Sequence, residues 1–588
     1  MGSPNMQQWS GAPQQSWRVA ALWPRLWPTL CLMPPLVAMP CTLALGQTPP
    51  NAGTILQQME RGNTPRLPGR DEKPRAAPLP EEMQVPAGLK VEAKQFRFAG
   101  NTLLSDARLT EVVAPWLGRT LDFADLRKAA AAVAEAYRAA GWIVHVYLPQ
   151  QDITDGVVTL QVIEAVFGAA RIDGDEPLRL KWERVLRYVE AVQKKGEPLS
   201  AAAIDRALLL IEDLPGTSVA GSLMPGGATG ETDLLLKMST KPLFNGDVAL
   251  DNTSSRSTGS ARATAGLSIN NPLGLGDQAT ANLVHAQGLE YARVSATLPV
   301  GAQGWRVGAN GSVLRYRLVA AEFAALNASG TSHTAGLEAS YPIVRSRLTN
   351  LYLNLNADRK QFNNESAGAV TTRYVVNSAA LGLQGNYFDS GGGGGANSGS
   401  VNVVAGKVDL GGSPNQAADA VSTQTQGNFS KVRYAASRRQ VITNDLQIVA
   451  SASGQMANKN LDSSEKMYLG GPNGVRAYPT NEGGGTSGQL VNLEARYALP
   501  LNFGVTGFYD WGRVMVNRNN DFPGAAVVNN VALKGVGAAL GWTGRDGASV
   551  RVTWARRIGS NPNPTVTGLD QDGSKVRNRI WVAAAFSF

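Results

Sequence analysis

The sequence predicts an outer-membrane β-barrel of about 16 antiparallel strands over residues 241–588, behind two small α+β modules and one short helix. Three observations carry this reading. From residue 241 onward the chain shows no helical pattern. Instead, segments of ~9–13 residues alternate apolar and polar positions, as in Leu351–Asn356, Asn492–Tyr497 and Ser549–Trp554. Period two with one apolar face marks a strand between two different surroundings. In a soluble sandwich that face would be core; in a membrane barrel it meets lipid and the polar face lines the lumen. Connection length decides between the two. Connections are short near 300–303, 344–346, 441–443, 500–502 and 544–547, and long near 318–330, 410–426, 458–488, 514–530 and 558–575. Short periplasmic turns and long outside loops are the pattern of an outer-membrane barrel. The glycine run Gly391–Gly395 falls on the short-turn side; no Lys-Ser/Thr pair follows it, so it reads as a flexible turn and not a phosphate loop. Third, the chain ends RIWVAAAFSF, with Ile580, Val582, Ala584, Phe586 and the terminal Phe588 on one face. A last strand ending in an aromatic residue is what the bacterial barrel-assembly machinery typically recognises, so Phe588 is the candidate assembly signal.

The elements before the barrel follow in order. Residues 1–46 read as an export signal. Arg18 and Arg25 precede an apolar run, and Ala44-Leu45-Gly46 offers a cleavage site. Pro28, Pro34, Pro35 and Pro40 interrupt the run and argue against a stable membrane helix. Residues 47–63 hold one short helix with Ile55, Leu56 and Met59 on one face and Gly62 as its stop. Residues 64–88 are a proline-rich linker. Extended at ~3.1 Å per residue, ~25 residues reach ~75 Å, more than a ~30 Å hydrocarbon core. The helix can therefore sit in a pore while tied to a domain outside it. Residues 89–168 read strand, helix, helix, strand, strand: helix 123–140 stops at Gly141, and the β-branched runs WIVHVYLP and GVVTLQVIEAVFG follow. Residues 169–240 repeat the order, with helices near 180–194 and 200–213.

Composition narrows the function class. The chain has 588 residues, a formal net charge of +9, and two cysteines, Cys31 and Cys41, both inside the export segment. A mature chain without cysteine has no disulfide framework and no thiolate metal site, and suits an oxidising envelope compartment. The three histidines, His145, His285 and His333, form no HExxH or other ligand cluster. No metal, cofactor or enzymatic activity is expected, and the excess positive charge reads as solvated side chains or as a preference for anionic lipid, nucleic acid or an acidic cargo.

One loop stands out. Leu469–Thr480, LGGPNGVRAYPT, carries a single charge, Arg476, between Val475 and Tyr478. In FGVTGFYDWG, 503–512, Phe503, Val505, Tyr509 and Trp511 share the lipid-facing parity, whereas Thr506, Phe508, Asp510 and Gly512 face the lumen. A loop of about 30 residues can fold back into the pore, where an inward arginine requires a carboxylate; a bidentate Arg476–Asp510 pair would anchor its tip.

These residues also carry a resemblance. Leu469–Thr480 resembles the V-R-G-Y loop motif, and Phe508–Gly512 the F-x-D-x-G strand motif, of a superfamily that includes the barrel insertases and the TpsB transporters of two-partner secretion. Ala477 stands where the commonest pattern has glycine. LPQQDITDGVVTLQVIEA is similar to the first polypeptide-transport-associated (POTRA) module of the TpsB proteins, RALLLIEDLPG and LMPGGATGETDL to the second, and NPLGLGDQ (271–278) to a barrel turn. The resemblance to this ShlB/FhaC/HecB-like group covers nearly all of the chain from residue 51. It implies two periplasmic POTRA modules, a plug helix, an Arg476–Asp510 lock supported by Val475, Tyr478, Phe508 and Gly512, and secretion of one large TpsA-type exoprotein such as a filamentous adhesin or haemolysin. The implied partners are that exoprotein, outer-membrane lipid and the barrel-assembly machinery, with no nucleic acid. A barrel insertase or a general porin fits less well: insertases usually carry more modules, and porins need none.

Overall fold

The computed structural model describes residues 49–60, 67–69, 90–153, 155–174, 179–228 and 230–588. The export segment 1–46 with both cysteines, Gly62 and nearly all of the linker lie outside the described residues.

From Phe244 to Ser587 sixteen antiparallel strands close into a barrel. Each strand pairs with its neighbours in sequence. The last, Asn578–Ser587, returns to the first, Phe244–Asp251, through a short register running from Ala583–Asp251 to Ser587–Asp247. Alternation sorts the side chains as expected: Leu250, Val505, Val552 and Ile580 stay exposed on the outer surface, while Thr506, Phe508 and Asp510 are buried inside. The strands reach 18 and 21 residues in the hairpin Thr349–Ser366 and Ala369–Asp389, against 8 in Phe244–Asp251.

Loops 318–328, 410–426, 458–486, 516–529 and 558–577 crowd one end, and the turns 301–304, 346–348, 390–394, 442–445, 500–502 and 544–547 lie at the other. Two hairpins depart from this rule. Connections 287–288 and 367–368 are two-residue turns on the long-loop side. In the second, Ala367 and Gly368 both adopt positive φ (49° and 78°), the conformation that matches the twist of paired strands. The turn at Gly391–Gly395 uses its glycines in the same way, with Gly392, Gly393 and Gly394 at φ 59°, 94° and 105°.

Two α+β modules precede the barrel. In the first, strands Gln95–Ala99, Val157–Glu164 and Val144–Tyr147 form one sheet in that order. Helices Asp106–Val113 and Phe123–Ala139 cover it, burying Leu109, Val133, Tyr137, Val158 and Leu160. Ser105 and Asp122 cap the two helices, accepting from Arg108 N and Asp125 N, and Gly141 ends the second at φ 91°. The second module repeats the layout: strands Val166–Asp173, Glu231–Thr240 and Thr217–Pro225, with helices Trp182–Glu190 and Ala201–Glu212.

The run GVVTLQVIEAVFG is two strands and not one. It breaks at Ala165, whose N–H donates to Ile143 O and whose carbonyl accepts from Leu199 N. Val166 then pairs with Glu231 in the second sheet, so the sheets change over at Ala165 and not at 168/169. Both halves are β-branched, and a change of partner leaves no local signal. The second module meets the short-turn end of the barrel through buried Arg345, which pairs with Asp213 at 2.8 and 2.9 Å, and Arg347, which reaches Asp205 at 2.8 Å.

Candidate functional site

Two segments occupy the lumen: the helix Ala52–Glu60 and the loop 458–486. Nine residues are too few for a stable isolated helix, so packing must hold it. Ile55, Leu56 and Met59, the expected apolar face, are 1%, 1% and 7% exposed. They join a cluster with Tyr291, Leu314, Tyr316, Phe362, Tyr374 and Phe429 from the barrel wall. The lumen is therefore not uniformly polar. Near the long-loop end its wall is apolar where the helix docks, because each lumenal position there faces a side chain and not water.

Polar contacts fix the helix's position. Asn51 Oδ1 accepts from Thr54 N at 3.0 Å and from Ser463 Oγ at 2.8 Å. Ala52 N donates to Asn364 Oδ1 at 2.8 Å, and Thr54 Oγ1 lies 3.0 Å from Tyr468 Oη. Glu60 reaches Lys360 at 3.5 Å. Lys360 and the buried Lys431 share Glu465, at 3.2 and 2.7 Å. Helix and loop thus contact each other directly and through one charge network.

The loop's tip carries Arg476. Its guanidinium binds the fully buried Asp510 through Nε at 2.9 Å and Nη2 at 2.6 Å, and its backbone N–H donates to the same carboxylate at 3.0 Å. Asn492 Nδ2 donates to Asp510 Oδ1 at 2.7 Å and to Gly474 O at 3.0 Å. The guanidinium carbon sits 3.5 Å above the centre of the Phe508 ring, a cation–π contact. Val475, Ala477 and Tyr478 are essentially unexposed. Gly512 and Gly535 form the floor: a Cβ at Gly512 would lie 2.7 Å from Leu469 Cδ2, and one at Gly535 2.7 Å from Ala477 Cβ. Ala477 is absent from the positive-φ residues, so the tip needs no glycine there.

Several participants were not foreseen. Arg476 Nη1 also binds Glu494 Oε1 at 2.7 Å, and Glu494 binds Arg496 at 2.6 Å. Trp581 Nε1 donates to Arg476 O at 2.8 Å and Arg557 Nε to Ala477 O at 3.2 Å. Glu494 was recoverable: it shares lumenal parity with Asn492, which pairs directly with Asp510 across the sheet. Trp581 and Arg557 lie on strands distant in sequence, and no local pattern points to the loop tip. Phe588 ends the last strand, 61% exposed, exchanging two 2.9 Å backbone hydrogen bonds with Gly246.

The family model of the haemolysin secretion/activation proteins ShlB/FhaC/HecB matches residues 230–544, more than half of the chain. The chain belongs to this family. A model of the ShlB-type POTRA domain matches residues 91–165, which span the first module and end at the changeover. The chain is 26% identical over 535 residues to the heme/hemopexin transporter protein HuxB of Haemophilus influenzae, covering 87% of this chain and 92% of that protein. It is 23% identical to the outer membrane transporter CdiB of Dickeya dadantii, covering 78% and 80%. Among solved structures, CdiB from Escherichia coli superposes with a TM-score of 0.64 at 21% identity, covering 87% of this chain and 94% of that one. BamA from Haemophilus ducreyi lacking POTRA domains 1–3 reaches 0.52 at 16% identity, with coverage of 84% and 100%. These last two likenesses concern the fold. Membership of the haemolysin secretion/activation family makes the chain an outer-membrane transporter of two-partner secretion, a pore that exports a large exoprotein and has its POTRA modules in the periplasm. The short-turn end is thus periplasmic and the long-loop end faces outward.

Proposed function

We propose that the chain exports one large TpsA-type exoprotein, delivered unfolded, through the lumen now filled by the helix and the loop. The observation that carries this reading is the filling itself. A tube of sixteen strands is closed by two segments of its own chain, held by an apolar cluster and ionic contacts that can be exchanged. The helix acts as a plug that leaves for cargo. The Arg476–Asp510 pair fixes the loop during biogenesis and transport. The POTRA modules, with short open sheet edges, capture unfolded cargo by strand addition, which tolerates varied sequence because main-chain groups make the bonds. Folding of the cargo outside supplies direction, since a folded segment cannot slide back. The barrel-assembly machinery reads the terminal Phe588, and lipid contacts the apolar outer face.

Co-expression with a large exported β-repeat protein, taken from a neighbouring gene where one encodes it, followed by assay of the medium, tests the reading. Export is expected with the intact chain, and periplasmic accumulation of the partner on deletion of residues 89–240. Unchanged export after that deletion would overturn the role of the modules. Insertion of other barrel proteins in the absence of any partner would favour an insertase.

A further inference from the structure

The lumen carries a charge pattern that neither the helix nor the lock uses. Below the level of Lys431 and Glu465, strand parity directs Arg433 and Arg439 of Gly427–Val441, Arg496 of Ser487–Leu499 and Arg551 of Ala548–Arg557 into the lumen. All four are exposed, so they face water inside the tube. Parity is fixed by buried neighbours on the same face: Phe429 and Lys431 on the first strand, Leu490 on the second, Thr553 and Ala555 on the third. The register of these strands runs without a bulge across the arginines. Arg496 pairs with Glu494, which also serves Arg476. Among the described residues no carboxylate lies within 4 Å of Arg433, Arg439 or Arg551.

The opposite wall differs. There the same parity brings Glu338 and Asp358 inward, and the cations on that side are already engaged. Arg293 lies 4.0 Å from Glu60, and Arg306 donates to Thr297 Oγ1 at 2.9 Å and to Gly276 O at 3.3 Å. One wall of the periplasmic half therefore carries Arg433, Arg439 and Arg551 without a carboxylate partner, beside the paired Arg496, and the facing wall does not. Arg433 and Arg439 are six residues apart, ~20 Å along the strand at ~3.3 Å per residue. Arg551 lies a few strands away at ~4.8 Å per strand. The run follows the path of a chain in transit.

We infer that this wall is a binding track for acidic stretches of the translocating polypeptide. It rests on the secretion reading and adds a preference to it. Exposed guanidinium groups bind carboxylates weakly and exchangeably, and salt screens them over ~8 Å at physiological ionic strength. Weak, repeated sites suit a chain that must be held and then released. The track also gives part of the net charge of +9 a location and a task.

The test uses the full-length protein in detergent micelles and three labelled 15-residue peptides, glutamate/serine, lysine/serine and serine only, read by fluorescence anisotropy. The acidic peptide is expected to bind best, with affinity falling as salt rises. The triple variant Arg433→Ala/Arg439→Ala/Arg551→Ala is expected to lose about tenfold in affinity. None of the three holds an ion pair, and barrel folding is checked by heat-modifiable gel mobility. The control Lys194→Ala/Lys195→Ala in the second module should leave binding unchanged. Equal binding of the three peptides, an unaltered triple variant, or an equal loss in the control each overturns the proposal. Export of the partner is measured in parallel. Normal export with unaltered peptide binding refutes the track alone, whereas absence of export by the unaltered protein refutes the secretion reading.

Discussion

Replacing Arg476 by alanine tests the loop anchor most directly. The substitution removes both side-chain bonds to Asp510, the bond to Glu494 and the contact with Phe508. It leaves Asp510, 0% exposed, with only Asn492 and the backbone N–H of residue 476 as donors. Removing one member of a buried pair costs about 3–5 kcal/mol. At 1.4 kcal/mol per factor of ten, the loop tip should open roughly 100- to 4,000-fold more often. The cost is local, because Val475, Ala477 and Tyr478 still anchor the tip through buried contacts. Residues 47–588 contain no cysteine, so in a chain with Cys31 and Cys41 replaced by serine a single Val475→Cys reporter gives a clean readout by maleimide labelling. Labelling in the presence of Arg476→Ala should accelerate by at least a hundredfold. Arg476→Lys should fall between, because lysine keeps the charge but not the fork. The double variant Arg476→Ala/Asp510→Ala should open less readily than the sum of the single changes, with a coupling of about 1–3 kcal/mol. Labelling within threefold of the Val475→Cys parent, or a strictly additive double variant, would refute the anchor.

Three further outcomes are expected. A Cβ at Gly53 would lie 2.6 Å from Ser463 Oγ and 3.0 Å from Ser464 N; Gly53→Leu should expel the helix and raise single-channel conductance in planar bilayers several-fold, and an unchanged current would count against the plug. At Glu164, burial works to raise the carboxyl's pKa, but the Thr102 hydroxyl, the N–H groups of Leu103 and Thr102 and the Tyr137 hydroxyl donate to it and hold it below the usual range. Its contribution to the first module is therefore present above the unfolded value of about 4.3 and lost as pH falls through the lower folded value, so Glu164→Gln should flatten the acid limb of module unfolding followed by tryptophan fluorescence. The variants Asp213→Ala and Arg345→Ala should show non-additive effects, coupled by about 0.5–3 kcal/mol, on protease cleavage between the second module and the barrel; additive effects would mean that the pair does not hold the two together.

Much of the architecture was legible because barrel strands have one strict period and two solvents. Alternation at Phe503–Gly512 gave the face of Asp510, and turn composition gave nearly every loop. What stayed hidden depends on register between strands remote in sequence. Nothing local announces that Trp581 caps Arg476 O, or that Lys360, Lys431 and Glu60 converge with Glu465. The apolar patch behind the helix was masked for another reason: Phe362, Tyr374 and Phe429 are lumenal, while Gln361, Asn363, Arg373, Asn428 and Ser430 beside them point outward, so the apolar-out, polar-in alternation is inverted there. The tight turns 287–288 and 367–368 lie on the side where long loops prevail, and only the second is marked by positive-φ residues, Ala367 and Gly368.

The unequal strand lengths give the wall a sloping rim. Eighteen residues at ~3.3 Å each, tilted ~40°, rise about 45 Å, whereas the apolar band is ~25 Å tall. The hairpin Thr349–Asp389 therefore stands some 20 Å proud of the lipid, while Phe244–Asp251, rising about 20 Å, falls short of the band's height. A surface-applied antibody or protease would meet this raised parapet first, and epitope tags inserted at Ala367-Gly368 should be readable on intact cells.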